Sequence, residues 1–165
     1  MASAEEKLPQ LRGSSTLPEG RPEKKTIFIS YTDNKKNSYL VEDVVRRFLD
    51  ELNFDVRTFK DARSSEILKA EIDRFIAECP SFLAFLTKDY EEKGSEKWHP
   101  SGNIPAEIER ALSLGHKVII YHEEGVTIPS NTKSHYCRPF ANKPEKYAEL
   151  LIDLIKALKN ENLLP

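Results

Sequence analysis

The sequence predicts an α/β domain built on a doubly wound parallel sheet. Two observations carry that prediction. Short apolar runs alternate with amphipathic helical stretches at least four times, which calls for right-handed βαβ crossovers. One run, Phe82-Leu83-Ala84-Phe85-Leu86, is apolar at every position, as suits a central parallel strand covered by helices on both faces.

The elements follow in order. Ile27-Phe28-Ile29 is a buried strand that stops at the polar loop Ser30-Tyr31-Thr32-Asp33-Asn34. Leu40, Val41, Val44, Val45, Phe48, Leu49 and Leu52 recur at three and four, the period of an amphipathic helix. Residues 54–59 form a second strand, and Lys60-Asp61-Ala62-Arg63 a loop. Ser64 or Ser65 then caps a helix whose apolar stripe is Ile67, Leu68, Ile72, Phe75 and Ile76. Cys79-Pro80 ends it, and the all-apolar third strand follows. Residues 87–103 make a long polar loop before a short helix carrying Glu107, Ile108, Ala111 and Leu112. Gly115 terminates that helix, and Val118-Ile119-Ile120-Tyr121 is the fourth strand. Residues 122–142 are irregular, with a short strand near 135–140. A last helix from Pro144 buries Tyr147, Leu150, Leu151, Leu154, Ile155 and Leu158. The expected architecture is a flavodoxin-like sheet of about five strands in the order 2-1-3-4-5.

Composition narrows the class. The chain has 165 residues, enough for one domain and a tail. Residues 1–24 carry Pro9, Pro18 and Pro22 among Gly and Ser with no apolar period, so the expected division is a disordered tail over 1–24, the domain over 25–160 and a short end over 161–165. Against 27 acidic residues stand 25 Lys and Arg, a net charge of −2 that argues against broad nucleic-acid binding. No apolar run approaches the roughly 18 residues of a membrane span. The first six residues are acidic and hold no apolar segment, unlike a secretory signal, and Cys79 and Cys137 are isolated. Together these features predict a cytoplasmic protein.

In an open α/β sheet, ligands bind beyond the carboxyl ends of the strands where the winding reverses. With the expected strand order, that crevice lies between the first and third strands. Topology therefore brings Tyr31, Asp33, Trp98 and Glu107 together from distant parts of the chain. The plain reading of Glu107 is a charge favoured near a helix N-terminus. His99, His116, His122 and His135 show no metal-ligand spacing, and Ser30 has no recognisable His-Asp partners.

Several segments resemble TIR (Toll/interleukin-1 receptor-like) domains over roughly residues 25–160. Phe28-Ile29-Ser30-Tyr31 looks like their opening strand, and Phe54-Asp55-Val56 with Lys60-Asp61-Ala62-Arg63 like their second strand and BB loop. The stretch from Glu107 through Ile119 is similar to the one carrying the catalytic glutamate of NAD-cleaving TIR enzymes. This resemblance implies an NAD glycohydrolase, with cyclisation of the product open to it, acting in defence or cell-death signalling. NAD would be its substrate, with no cofactor, and other TIR domains its partners through self-assembly. Glu107 would be catalytic; Ser30, Tyr31, Thr32, Asp33, Lys60, Asp61, Arg63 and Trp98 would bind substrate. Trp98 stands nine positions before Glu107 where the family often has it four before. Thr32 and Asp33 replace basic residues, with Lys35, Lys36 or Arg63 as possible substitutes.

Nicotinamide leaves as a neutral base, so one ionised carboxylate could orient the ribose and stabilise the oxocarbenium-like centre. In the first helical turn, the helix dipole would keep that carboxylate ionised. Two alternatives stand beside this reading. One is a non-enzymatic TIR signalling scaffold. The other rests on Ser101-Gly102-Asn103-Ile104-Pro105-Ala106-Glu107, which also looks like the nucleophile region of nucleoside 2-deoxyribosyltransferases, where the glutamate forms a covalent deoxyribosyl intermediate.

Overall fold

Strand β1 (Lys25–Ser30) stands inside the sheet, and its last four residues are buried. A computed structural model describes the protein over residues 23–62, 68–133 and 135–165. Most of the expected tail therefore lies outside the described residues, as do Arg63, Ser64, Ser65 and Ile67.

β1 pairs on one side with β2 (Phe54–Arg57) and on the other with β3 (Ser81–Leu86). Beyond β3 come β6 (Lys117–Glu123) and β7 (Cys137–Phe140). All pairs are parallel, in the order β2-β1-β3-β6-β7. Two further strands, β4 (Tyr90–Glu91) and β5 (Trp98–His99), form a separate antiparallel ribbon. Without them the order is the expected 2-1-3-4-5. The ribbon occupies the segment anticipated as plain loop, since two-residue strands are too short to show a period in sequence.

Side chains alternate across each strand and so divide the core in two. Ile27, Ile29, Leu83, Phe85, Ile119 and Tyr121 face the first helical connection and α5 (Tyr147–Asn160). Phe28, Phe82, Ala84, Leu86 and Ile120 face α3 (Leu68–Glu78) and α4 (Asn103–Ser113). Each fully buried Leu, Ile or Phe of these layers stabilises the fold by roughly 1.5–3 kcal/mol.

The first connection runs as α1 (Lys35–Ser38), a π-helical stretch Tyr39–Val45, and α2 (Arg46–Glu51). Asn34 caps it, accepting from the Asn37 amide at 2.8 Å. Asn53 leaves it at φ 66°, a left-handed conformation that Asn tolerates better than most residues. Pro105 is accommodated in α4 because it stands in the first turn, where its missing N–H has no intrahelical acceptor. The chain end returns to the sheet. Leu163 is buried, and its carbonyl accepts from Lys25 Nζ at 2.8 Å. No helix among the described residues is long and apolar enough to cross a membrane.

Candidate active site

Ser30 ends β1 and points to the same face as Phe28, toward α4. On α4, Ile104, Ile108 and Ala111 are buried at helical spacing. Glu107 lies at the edge of that stripe and is carried, half-buried, to the carboxyl end of β1. There Ser30 Oγ donates to Glu107 Oε2 at 2.5 Å.

The acidity of Glu107 follows from this placement. Burial pushes its carboxyl above the ordinary range; the Ser30 hydrogen bond pulls it back, and Asp73 on α3 adds repulsion that raises it again. The expectation that this carboxylate stands in the first helical turn is corrected by its place in the helix. Glu107 is the fifth residue of α4, whose first turn carries no acidic residue, and desolvation is the largest influence on its acidity.

The carboxyl borders a cleft of about 190 Å³ that is open to solvent. Phe28, Ile29, Phe59, Leu68, Ile72 and Ile104 give it apolar walls, and Thr32, Asp33, Ser101 and Asn103 supply polar groups. A second hollow of about 510 Å³ shares Leu68, Ile72, Asn103 and Glu107 and adds Lys69, Asp73, Ala106 and Arg110. Glu107 thus stands between two spaces.

Of the residues singled out from sequence, Ser30, Tyr31, Thr32, Asp33 and Glu107 come together around the cleft. Tyr31 contributes a wall more than a polar group. Its ring centroid lies 5.0 Å from that of Phe59, and its hydroxyl donates to Glu42 Oε1 at 2.8 Å. Burial, then Glu42, push that phenol far above its ordinary range. Lys60 and Asp61 are not among the cleft-lining residues. Lys60 Nζ donates to Ser38 Oγ at 2.5 Å and stands 3.7 Å from Asp33 Oδ1. Asp61 accepts from Arg46 at 2.9 Å and from the Thr58 amide at 2.8 Å. Trp98 sits half-buried on β5, bridged to Val126, and does not line the cleft. Arg63 lies outside the described residues.

Sequence reasoning left Ser101, Asn103, Phe59 and Ile72 out of the site. Ser101 and Asn103 had a readable signal, two polar residues leading straight into the Glu107 helix. Phe59 and Ile72 look like any other core residues in sequence.

No protein-family model matches the sequence, and no curated protein does. Solved structures do resemble it. A CMP N-glycosidase of Clostridium botulinum is similar at a TM-score of 0.55 and 20% identity, over 80% of this chain and 99% of that one. A 2-deoxyribosyltransferase from Leishmania mexicana gives 0.52 and 16%, over 78% and 97%. A 2-deoxyribosyltransferase from Bacillus psychrosaccharolyticus gives 0.53 and 11%, over 76% and 90%. At such identities the likeness establishes the fold.

These structures correct the resemblance to TIR domains, for they are an N-glycosidase and two deoxyribosyltransferases. Immune signalling and TIR self-assembly fall with it. The physical reason lies in the scaffold. An apolar strand opening on a polar loop at the switch point is common to doubly wound sheets, and one such scaffold hosts unrelated chemistries.

Proposed function

We propose that the chain is an enzyme that breaks the N-glycosidic bond of a nucleoside or nucleotide, with Glu107 meeting the anomeric carbon. The observation that carries this reading is the half-buried Glu107 carboxyl at the cleft, held through one oxygen by Ser30. The shared fold of an N-glycosidase and two deoxyribosyltransferases supports it.

The chemistry suits that geometry. With Oε2 held by Ser30, Oε1 is the oxygen left to bond C1′. As the C1′–N bond breaks, its electron pair leaves with the base, which takes a proton from solvent, and the carboxylate closes a glycosyl ester. Water or the nitrogen of a second base then attacks C1′, loses a proton and restores the carboxylate. A carboxylate made uncomfortable by burial gains more than a solvated one from a developing cationic centre. The apolar walls suit the faces of a base, and Thr32, Asp33, Ser101 and Asn103 suit sugar hydroxyls.

The test is a panel of ribonucleosides, 2′-deoxynucleosides and their 5′-monophosphates, each with and without a second base, with NAD in parallel. Free base from the wild-type protein and none from Glu107→Gln supports the reading. Base exchange marks a transferase, and base release without exchange a hydrolase. A wild-type protein that releases no base from any member overturns it.

A further inference from the structure

We infer that Asp89 is a positioning residue that sets the cleft by holding two of its rims, Thr32 and Ser101, on one carboxylate oxygen. The inference rests on the glycosidic reading above for its catalytic consequence. Asp89 does not line the cleft, and the proposed chemistry gives it no part.

The geometry is specific. Asp89 Oδ2 accepts from Thr32 Oγ1 at 2.6 Å and from the Ser101 amide at 2.5 Å. Its other oxygen, Oδ1, accepts from Thr87 Oγ1 at 2.6 Å. Thr32 belongs to the loop after β1, Thr87 follows β3, and Ser101 precedes α4. One side chain therefore ties together the three chain segments that meet at the switch point. Two of the tied residues line the cleft beside Glu107.

A chain of buried polar groups stands behind this clasp. Tyr147 Oη donates to Asn142 Oδ1 at 2.8 Å, and Asn142 Nδ2 to Asn37 Oδ1 at 3.1 Å. Asn37 Nδ2 donates to Thr87 Oγ1 and to the Thr32 carbonyl, both at 3.0 Å. The bonds from Tyr147 through Asn142, Asn37 and Thr87 point the same way and end on Asp89, while one branch from Asn37 ends on the Thr32 carbonyl. A carboxylate, which only accepts, is the natural terminus for such a chain. Hydrogen bonds arranged in series polarise one another, so the end group is held more firmly than one contact would hold it. The main chain of Asp89 is fixed as well, since its amide donates to the His99 carbonyl at 3.0 Å at the mouth of the ribbon.

Three variants test the clasp, with the wild-type protein and Glu107→Gln as references. Asp89→Ala frees both rims, and kcat/KM should fall about 10²-fold, the scale of an ångström's misplacement at a reacting centre. Asp89→Asn keeps one carbonyl oxygen for Thr32 and Ser101 and turns its NH₂ toward the Thr87 hydroxyl, which accepts it through its second lone pair but loses the acceptor for its own proton. It should stay within about fivefold of wild type, the worth of one altered hydrogen bond. Glu91→Gln, exposed on β4, should match wild type. The Ser101 amide proton supplies a readout independent of turnover. It should resonate downfield and exchange slowly in wild type and Asp89→Asn, and lose both properties in Asp89→Ala.

Asp89→Ala with kcat/KM within about twofold of an active wild type overturns the inference. So does an Asp89→Asn protein as impaired as Asp89→Ala, because the negative charge would then matter and the clasp would not. A wild-type protein that cleaves nothing overturns the glycosidic reading and the catalytic consequence with it. The Ser101 amide then still decides the clasp, and an amide indifferent to Asp89→Ala overturns that too.

Discussion

Glu42 and Glu107 are chemically identical and both are partly buried, yet the fold treats them in opposite ways. Burial raises the carboxyl of Glu42, but hydrogen bonds from Arg46, Thr58 and Tyr31 together outweigh it and bring it below the ordinary range. Arg46 reaches Oε2 at 2.9 Å, while Thr58 and Tyr31 both donate to Oε1, at 2.7 and 2.8 Å. Glu107 has Ser30 at 2.5 Å and no cation beside it among the causes of its shift, and burial wins. Burial alone does not make a carboxyl reactive. The count and charge of its partners decide whether it is a fixed strut or a group still able to respond to a substrate.

The largest expected effect comes from Glu107→Gln. It keeps the shape and an acceptor for Ser30 but removes the charge, so glycosidic turnover should fall by about 10²–10³-fold. Base release measured by chromatography checks this, with Glu109→Gln on the exposed side of α4 as the active control. Equal turnover in Glu107→Gln and wild type would end the contrast between the two glutamates.

Glu42→Gln should act on stability instead. It leaves Arg46 with Asp61 and the Val56 carbonyl but takes away its second carboxylate. A loss of about 1–2 kcal/mol is expected, allowing for partial solvent screening. Denaturant unfolding measures it, and turnover should stay within about threefold of wild type, since Glu42 is not among the cleft-lining residues.

Ser30→Ala sharpens the comparison by removing the one contact that lowers Glu107. The carboxyl should titrate still higher, moving the acid limb of the kcat/KM profile upward in pH. At neutral pH, kcat/KM should drop by about tenfold, the equivalent of one charge-assisted hydrogen bond. An acid limb that stays in place would mean that another group sets it.

The smallest effect is a pair of opposite pH slopes in stability. Glu42 has a folded-state pKa below its unfolded one, so its stabilisation is present above the unfolded value, about 4.3, and is lost as pH falls through the folded value. Glu107 is raised, so the folded state binds its proton more tightly, and stability declines as pH climbs from the unfolded value through the folded one. Melting curves from about pH 3 to about pH 8 should therefore show the Glu42→Gln deficit shrinking toward acid. The advantage of Glu107→Gln over wild type should grow toward neutral pH. Slopes of the same sign would show that the two carboxyls do not differ.

The strand order was legible because each strand announces itself by composition and parallel strands leave few topologies. The position of Glu107 at the switch point was legible for the same reason. Its acidity was not, because sequence places it near the start of a helix without showing Ser30 beneath it or Asp73 across from it. The clasp on Thr32 and Ser101 was hidden for a similar reason. Asp89 falls in a charged run, Lys88-Asp89-Tyr90-Glu91-Glu92-Lys93, that reads as a solvated loop until the fold closes around it. The family resemblance failed on short motifs that many sheets of this winding share. Ser101-Gly102-Asn103-Ile104-Pro105-Ala106-Glu107 was the segment that pointed toward the deoxyribosyltransferases.

The ribbon that begins just after Asp89 also carries the protein's single tryptophan. The Trp98 carbonyl accepts from the Thr127 amide at 2.7 Å, which fixes the main chain that carries the indole, and Trp98 is not among the cleft-lining residues. Excited at the red edge of its absorption, where the six tyrosines are dark, the chain emits from this one place. Adding a nucleoside to Glu107→Gln protein then gives an optical titration of occupancy with no turnover to confuse it. Emission that moves with ligand means that filling the cleft pulls on the ribbon. Emission that holds still while wild type releases base means that the ribbon is a rigid mount.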